Sequence, residues 1–228
     1  MIPWVLLDAA PLANGASLRL KRRGNEFSIM LGDNELMSSR LSGSEEALAS
    51  LTCAKLAGPA PRLLIGGLGM GFTLRAALTC LGPQARITVA ELVPQVIAWA
   101  RGPMAEIFGG SLDDPRVALA QADVAREIAG DAIWDAILLD VDNGPDGLTQ
   151  PANDGLYQPE GLKRARKALK PGGVLAIWSA RDDEAFTKKL KDAGFSVEVL
   201  AVRASRAKRG ARLTKRGARH TIWLATRR

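Results

Sequence analysis

Histidine, cysteine and tyrosine are nearly missing from this chain of 228 residues, which holds one His, two Cys and one Tyr. A lone His220 excludes a His-rich metal centre and argues against a Ser-His-Asp triad. Cys53 and Cys80 make neither a disulfide framework nor a zinc site, so a reducing, cytoplasmic setting is expected. No apolar run approaches the ~18 residues of a membrane-spanning helix. The first eight residues lack the basic and long apolar regions of a secretory signal, and no membrane partner is expected. Acid is absent after Glu198, where ten Lys and Arg gather, eight of them within 203–219. The rest of the chain is mildly acidic, so the basic end stands out and hints at an anionic partner. The 203–219 loop reads either as a solvated charged loop or as a contact for phosphates, of nucleic acid or of a small anionic metabolite. It has no aromatic residue on which single-stranded bases could stack.

What is present is ordinary globular composition, 47% hydrophobic and 24% charged, which rules out a disordered chain. Residues 1–57 read as a β-rich appendage. Two alternating segments, 17–21 and 26–31, flank Arg23-Gly24-Asn25 and predict a hairpin. Ser44-Glu45-Glu46 opens a helix predicted to run to about Ala57, and Gly58-Pro59-Ala60-Pro61 breaks the chain before a second unit, 58–228. Apolar runs at 62–65, 85–90, 117–120, 136–139 and 174–178 read as buried parallel strands. They alternate with helices predicted at 73–81, 94–108, 124–129, 159–169 and 182–193. Such alternation predicts an α/β fold with a Rossmann-like doubly wound sheet. Strands at 196–202 and 221–225 are expected to add an antiparallel pair.

The informative motif is Leu63-Leu64-Ile65-Gly66-Gly67-Leu68-Gly69-Met70-Gly71-Phe72, a buried strand entering a glycine turn before a helix. Glycines let the backbone approach a ligand, and a helix N-terminus offers free N–H groups. The dinucleotide pattern G-x-G-x-x-G would need glycine where Phe72 stands, which weakens a nicotinamide reading. Glu91 ends the next strand, placed to accept both ribose hydroxyls. Asp123 ends the third strand and suits an adenine edge, or a helix N-cap. Asp140-Val141-Asp142-Asn143 ends the fourth, at the crevice where open α/β sheets bind ligands.

Residues 62 to about 202 resemble the spermidine-synthase-like branch of the class I S-adenosylmethionine-dependent methyltransferase fold. The landmarks are Gly66-Gly67-Leu68-Gly69-Met70-Gly71, Val89-Ala90-Glu91-Leu92-Val93-Pro94, Asp113-Asp114-Pro115, Ala122-Asp123, Trp134-Asp135-Ala136-Ile137-Leu138-Leu139-Asp140, Gly155-Leu156-Tyr157 and Leu169-Lys170-Pro171-Gly172-Gly173. The resemblance implies S-adenosylmethionine, or its decarboxylated form, as the sulfonium ligand. Gly67, Leu68, Gly69 and Gly71 would pass beneath its amino-acid or aminopropyl part, Glu91 with Leu92 would hold the ribose, and Asp123 would meet the adenine. In aminopropyltransferases of this family the acid matching Asp140 deprotonates the attacking amine and a tyrosine matching Tyr157 assists; Asp142 is the third catalytic candidate. Met70 replaces the family's loop acid, Met37 aligns with its glutamine, and Ala49-Ser50-Leu51 aligns with its Tyr-His-Glu. Polycations need carboxylates or aromatic faces, so this reading favours methyl transfer to an unknown, small, anionic acceptor and expects putrescine to be poor. Aminopropyl transfer to an amine is the alternative, and a non-catalytic nucleoside- or phosphate-binding protein the second. A homodimer is expected.

Overall fold

The computed structural model describes residues 2–12, 15–141, 155–204 and 218–228. The chain builds two sheets. The first is antiparallel, in order β1 (Val5–Pro11), β2 (Ser17–Arg23), β3 (Glu26–Leu31), β4 (Asn34–Ser38). The expected hairpin is its centre. The outer strands escaped the pattern because β1 is a bulged edge strand without alternation and β4 has only five residues.

The second sheet has seven strands: β5 (Arg62–Gly66), β6 (Arg86–Glu91), β7 (Val117–Gln121), β8 (Trp134–Leu139), β9 (Leu169–Ser179), β10 (Phe195–Arg203) and β11 (Arg219–Arg227). Their spatial order is β10-β11-β9-β8-β5-β6-β7. β5 through β9 pair in parallel, while β11 runs antiparallel between β9 and β10. The antiparallel pair is as expected, but the last strand is inserted inside the sheet rather than added at its edge.

Both faces of this sheet are covered, which explains the continuous apolar strand sequences. Successive residues go to opposite sides: Leu63 and Ile65 join one core with Ala136 and Leu138, whereas Leu64 joins the other with Ile137 and Leu139. The first core also takes in Leu48 of α1 (Gly43–Cys53), Leu74 of α2 (Phe72–Cys80), Trp99 of α3 (Pro94–Arg101), Phe108 of α4 (Ala105–Phe108), and Leu20 and Ile29 of the N-terminal sheet. The second takes in Val124 of α5 (Val124–Glu127), Leu162 of α6 (Pro159–Ala168) and Phe186 of α7 (Glu184–Asp192).

Three helix expectations need correction. The helix expected at 94–108 is two, because Gly102-Pro103 interrupts it and proline brings no N–H to continue the ladder. The first helix stops at Cys53 rather than near Ala57. The last, expected from 182, begins at Glu184 because the Asp183 side chain caps it, accepting from the Phe186 N–H at 3.0 Å.

The N-terminal sheet is tied to the core through Asp8, which accepts from the Trp99 indole N–H at 2.7 Å. That bond holds the Asp8 carboxyl below its ordinary pKa, helped by the Ala9 N–H. On the opposite side Phe186 is fully buried, edge-to-face with Tyr157 at 5.7 Å and with Trp223 at 5.1 Å. Phe186→Ala is therefore expected to cost about 3–5 kcal/mol, the range for emptying a packed aromatic site. Urea unfolding of the two proteins measures it; a loss under 1 kcal/mol would contradict this packing.

Candidate functional site

The chain leaves β5 for β6 on one side and β8 for β9 on the other, so a crevice opens at the carboxyl ends of β5 and β8. Two backbone bonds pin its floor: Gly67 N–H donates to the Ala90 carbonyl at 2.9 Å, and Asp140 N–H to the Gly66 carbonyl at 3.0 Å. At Gly67, φ is +90° and a Cβ would lie 2.5 Å from the Asp140 carbonyl oxygen, so only glycine fits. At Gly69, φ is +49° and a Cβ would lie 2.7 Å from Met37 Sδ. The loop thus leaves bare backbone beneath a lid provided by β4.

The cavity above this floor is lined by the loop from Gly67 to Gly71 and by Glu91, Leu92, Asp123 and Asp140. Glu91 is 8% exposed. Its two carboxylate oxygens accept from Leu68 N–H at 3.0 Å and Val93 N–H at 2.8 Å. Burial pushes its pKa up, and the backbone N–H groups of Val93, Leu68, Leu92 and Gly69 oppose that push. Leu68 therefore contributes its N–H while its side chain is buried. Asp123 lines the cavity and also caps α5, accepting from Ala125 N–H at 2.8 Å, so the N-cap reading of that residue holds.

Asp140 accepts from the Thr73 hydroxyl at 2.6 Å. Burial, and next the charge of Glu45, push its pKa up to about 7, with the Thr73 bond opposing. Glu45 lines the same cavity from the first turn of α1. Burial raises its pKa and the Glu46 charge adds to that, while the bond from Ser44 opposes it. Glu45 and Asp140 thus share one cavity, each costly to ionise there without a cation.

Three residues were missed by sequence reasoning, Glu45, Thr73 and Trp178, while Met37, singled out through the resemblance, does line the cavity. Glu45 sits among helix-opening residues and carries no motif, and the Ala49-Ser50-Leu51 alignment pointed too far along the helix. Ala49 is fully buried in the core, and Glu45 is the acid that α1 turns to the cavity. The departures at Met70 and Ala49-Ser50-Leu51 led to an expectation of poor polycation binding that left the Glu45 carboxylate out of account. Trp178 also lines the cavity, and its indole N–H is buried without a partner among the described residues. Tyr157 does not line it. Its ring is buried under α7 and its hydroxyl donates to the Val141 carbonyl at 3.4 Å, which ties it to the segment just after Asp140. Asp142 and most of the basic loop lie outside the described residues, but Arg203 and Arg219, which bracket that loop, pair across β10 and β11. Among the described residues no helix is long and apolar enough to cross a membrane, and no group of His, Cys, Asp and Glu could hold a metal.

No protein-family model matches the chain. In sequence it is similar to a polyamine aminopropyltransferase of Korarchaeum cryptofilum, 32% identical over 59% of this chain and 40% of that one. It is also similar to one of Mycobacterium tuberculosis, 30% identical over 68% of this chain and 29% of that one. The chain thus spans well under half the length of these curated relatives. In structure it matches a spermidine synthase in complex with the transition-state analogue AdoDATO, with TM-score 0.75 and 18% identity over 98% of this chain and 72% of that one. The spermidine synthase of Thermotoga maritima follows at TM-score 0.73, 16% identical, over 98% and 72%. The expected Rossmann-like fold of the spermidine-synthase-like branch is shown. The expectation of methyl transfer is overturned, because the relatives matched in sequence are named for aminopropyl transfer.

The electrostatics of the crevice carry a stability signature. The Asp140 carboxyl keeps its proton to about pH 7 when folded, whereas an unfolded Asp loses it near pH ~4. The folded state binds more protons in between, so this group's contribution to stability falls as pH rises through that window. Asp140→Asn is expected to raise the thermal midpoint at pH 8 and to leave it unchanged at pH 4. Calorimetry at the two pH values checks this, and equal midpoints at pH 8 would contradict it.

Proposed function

We propose that this chain, which has the spermidine-synthase-like form of the class I fold, transfers an aminopropyl group from decarboxylated S-adenosylmethionine to a small amine. The observation that carries the reading is the convergence of Glu45 and Asp140 on one cavity beside the glycine loop. Two carboxylates with raised pKa values are short of positive charge. They favour an ammonium and a sulfonium as occupants and repel an anionic acceptor.

The residues present fit an adenosyl sulfonium ligand. Glu91, fixed by two backbone N–H groups, keeps outer lone pairs for ribose hydroxyls. Leu92 and Val124 offer apolar cover for a base, with Asp123 at hand for its amino group. The bare backbone at Gly67 and Gly69 leaves room for a narrow chain above it. When bound, the ligand supplies a propyl carbon already activated by its sulfonium, so the protein has to align a nucleophile and exclude water.

The acceptor enters as an ammonium, which is no nucleophile. Asp140, held by Thr73, takes one of its protons. The freed nitrogen lone pair forms the N–C bond while the C–S electron pair goes to sulfur, leaving a neutral thioether. Glu45 steadies the remaining positive charge on the nitrogen. Met37 and Trp178 shield the site from solvent.

The test is direct. The protein is incubated with decarboxylated S-adenosylmethionine and a panel of mono-, di- and triamines, and methylthioadenosine with aminopropylated amine is followed by mass spectrometry. Release of methylthioadenosine only when an amine is present supports the reading; no release with any amine overturns it. With a productive amine, kcat/KM is expected to drop as pH falls below about 7, because Asp140 is then protonated, and Asp140→Asn should abolish that limb. Glu91→Ala should weaken binding of the sulfonium ligand by about 1.5–3 kcal/mol, the usual worth of hydrogen bonds to a charged group; calorimetric titration measures it, and unchanged affinity would remove Glu91 from the site.

A further inference from the structure

The only histidine of the chain is absent from the mechanism above, yet its surroundings connect it to the site. His220 stands near the start of β11, the strand inserted between β9 and β10. Its Nδ1 lies 2.9 Å from Ser44 Oγ. Ser44 is fully buried, and its hydroxyl donates to Glu45 Oε2 at 2.6 Å. Glu45 shares the cavity with Asp140, and the Thr73 hydroxyl, bonded to Asp140, also lies 3.4 Å from the Glu45 carbonyl. The imidazole packs edge-to-face on Trp178 at 4.7 Å. It is itself partly exposed. An unbroken line of hydrogen-bonding groups therefore runs from the cavity, through a buried hydroxyl, to a group that reaches solvent.

We propose that Ser44 and His220 relay to solvent the proton that the Glu45–Asp140 pair takes from the acceptor amine. The proposal rests on the aminopropyl-transfer reading. Once the product ammonium that Glu45 steadied has left, Asp140 passes its proton to Glu45 across the cavity they share, so one O–H bond breaks on Asp140 as one forms on Glu45. A protonated Glu45 gives its proton to Ser44 Oγ as Ser44 gives its own to His220 Nδ1; one O–H bond is broken and one N–H bond is formed overall. His220, briefly a cation, releases the proton from Nε2 to water. A serine hydroxyl has one proton, so the direction of the chain is set by Glu45. When Glu45 is ionised, Ser44 donates to it and the ring must donate from Nδ1. When Glu45 is protonated, Ser44 donates to the ring and the proton sits on Nε2.

Burial lowers the His220 pKa, so the ring is neutral and ready to accept near neutral pH. The charged groups on the flanking segments are Glu45 and Glu46 of α1, Arg203 and Arg219 at the ends of β10 and β11, and Arg181 just beyond β9. Neither Ser44 nor His220 touches the reacting atoms in this scheme; both act through Glu45 and are positioning residues.

Two measurements on the full chain test it. Because the chain has a single histidine, its ring nitrogens are assigned without ambiguity in protein labelled with 15N-histidine. The neutral ring is expected in the Nδ1–H form at pH 8 and to shift toward Nε2–H as Glu45 takes up a proton. Ser44→Ala should erase that dependence; a tautomer indifferent to Ser44→Ala overturns the proposal. The second measurement is kinetic, with whichever amine the panel identifies. His220→Asn keeps a donor near Nδ1 but cannot titrate. It should lower kcat on the order of 10²-fold, within the span of acid–base effects, with KM for the amine unchanged. Imidazole added to His220→Ala should restore part of the loss. Ser44→Ala should lower kcat similarly, and the double variant should be no worse than the poorer single one, as for groups acting in series. Unchanged kcat in folded His220→Asn, or losses that multiply in the double variant, overturns the relay. A wild-type protein that turns over no amine but shows the coupled tautomer shift would count against the aminopropyl reading and not against the hydrogen-bonded chain.

Discussion

The parting of the chain at β5 and β8 is the constraint from which the rest of the site follows. The Asp140 N–H is bonded to the Gly66 carbonyl and the Gly67 N–H to the Ala90 carbonyl. The ends of β8 and β6 are thereby each locked by a hydrogen bond to the end of β5, which lies between them. Glu91, the glycine loop and Asp140 are carried to the same rim because the strands that bear them are neighbours in register. A side chain at Gly67 would collide with the Asp140 carbonyl. The loop's lack of side chains is thus a packing requirement of the crevice as well as a means of admitting a ligand.

The crevice gathers carboxylates where burial penalises them. Glu45, Glu91 and Asp140 are each pushed toward the neutral form, first by burial. A fold spends stability in this way where function needs charge, since a cationic occupant recovers part of the cost. That physical argument agrees with the sequence relatives, which are named for aminopropyl transfer. An anionic methyl acceptor would have met the same carboxylates with repulsion.

The N-terminal sheet completes what the parallel sheet begins. Asp8 bonds to Trp99 and docks β1 on α3. Met37 of β4 sits over Gly69 and closes the cavity from above. The helix that follows brings Glu45 to the cavity and, one residue earlier, places Ser44 against His220 from the far end of the chain.

The primary sequence alone determined the alternating α/β order, the glycine turn after a buried strand, and the acids at the ends of the following strands. These features depend on local periodicity and on residues adjacent in the chain, so hydrophobic runs and turn residues make them legible. It did not reveal the full N-terminal sheet, whose edge strands lack alternation, nor the break at Gly102-Pro103 within an otherwise helical pattern. The contacts of Glu45, Thr73, Tyr157 and His220 belong to tertiary structure alone. Glu45 reads in sequence as a helix-opening acid, and only the packing of α1 on the large sheet turns it toward Asp140. Tyr157 matches a catalytic tyrosine by position, yet the aromatic cluster with Phe186 holds its ring in the core. His220 and Ser44 stand 176 residues apart, and no local pattern links them. Their contact exists because the last strand enters the sheet beside β9, a choice made by burial of both faces of that strand and not by any motif within it.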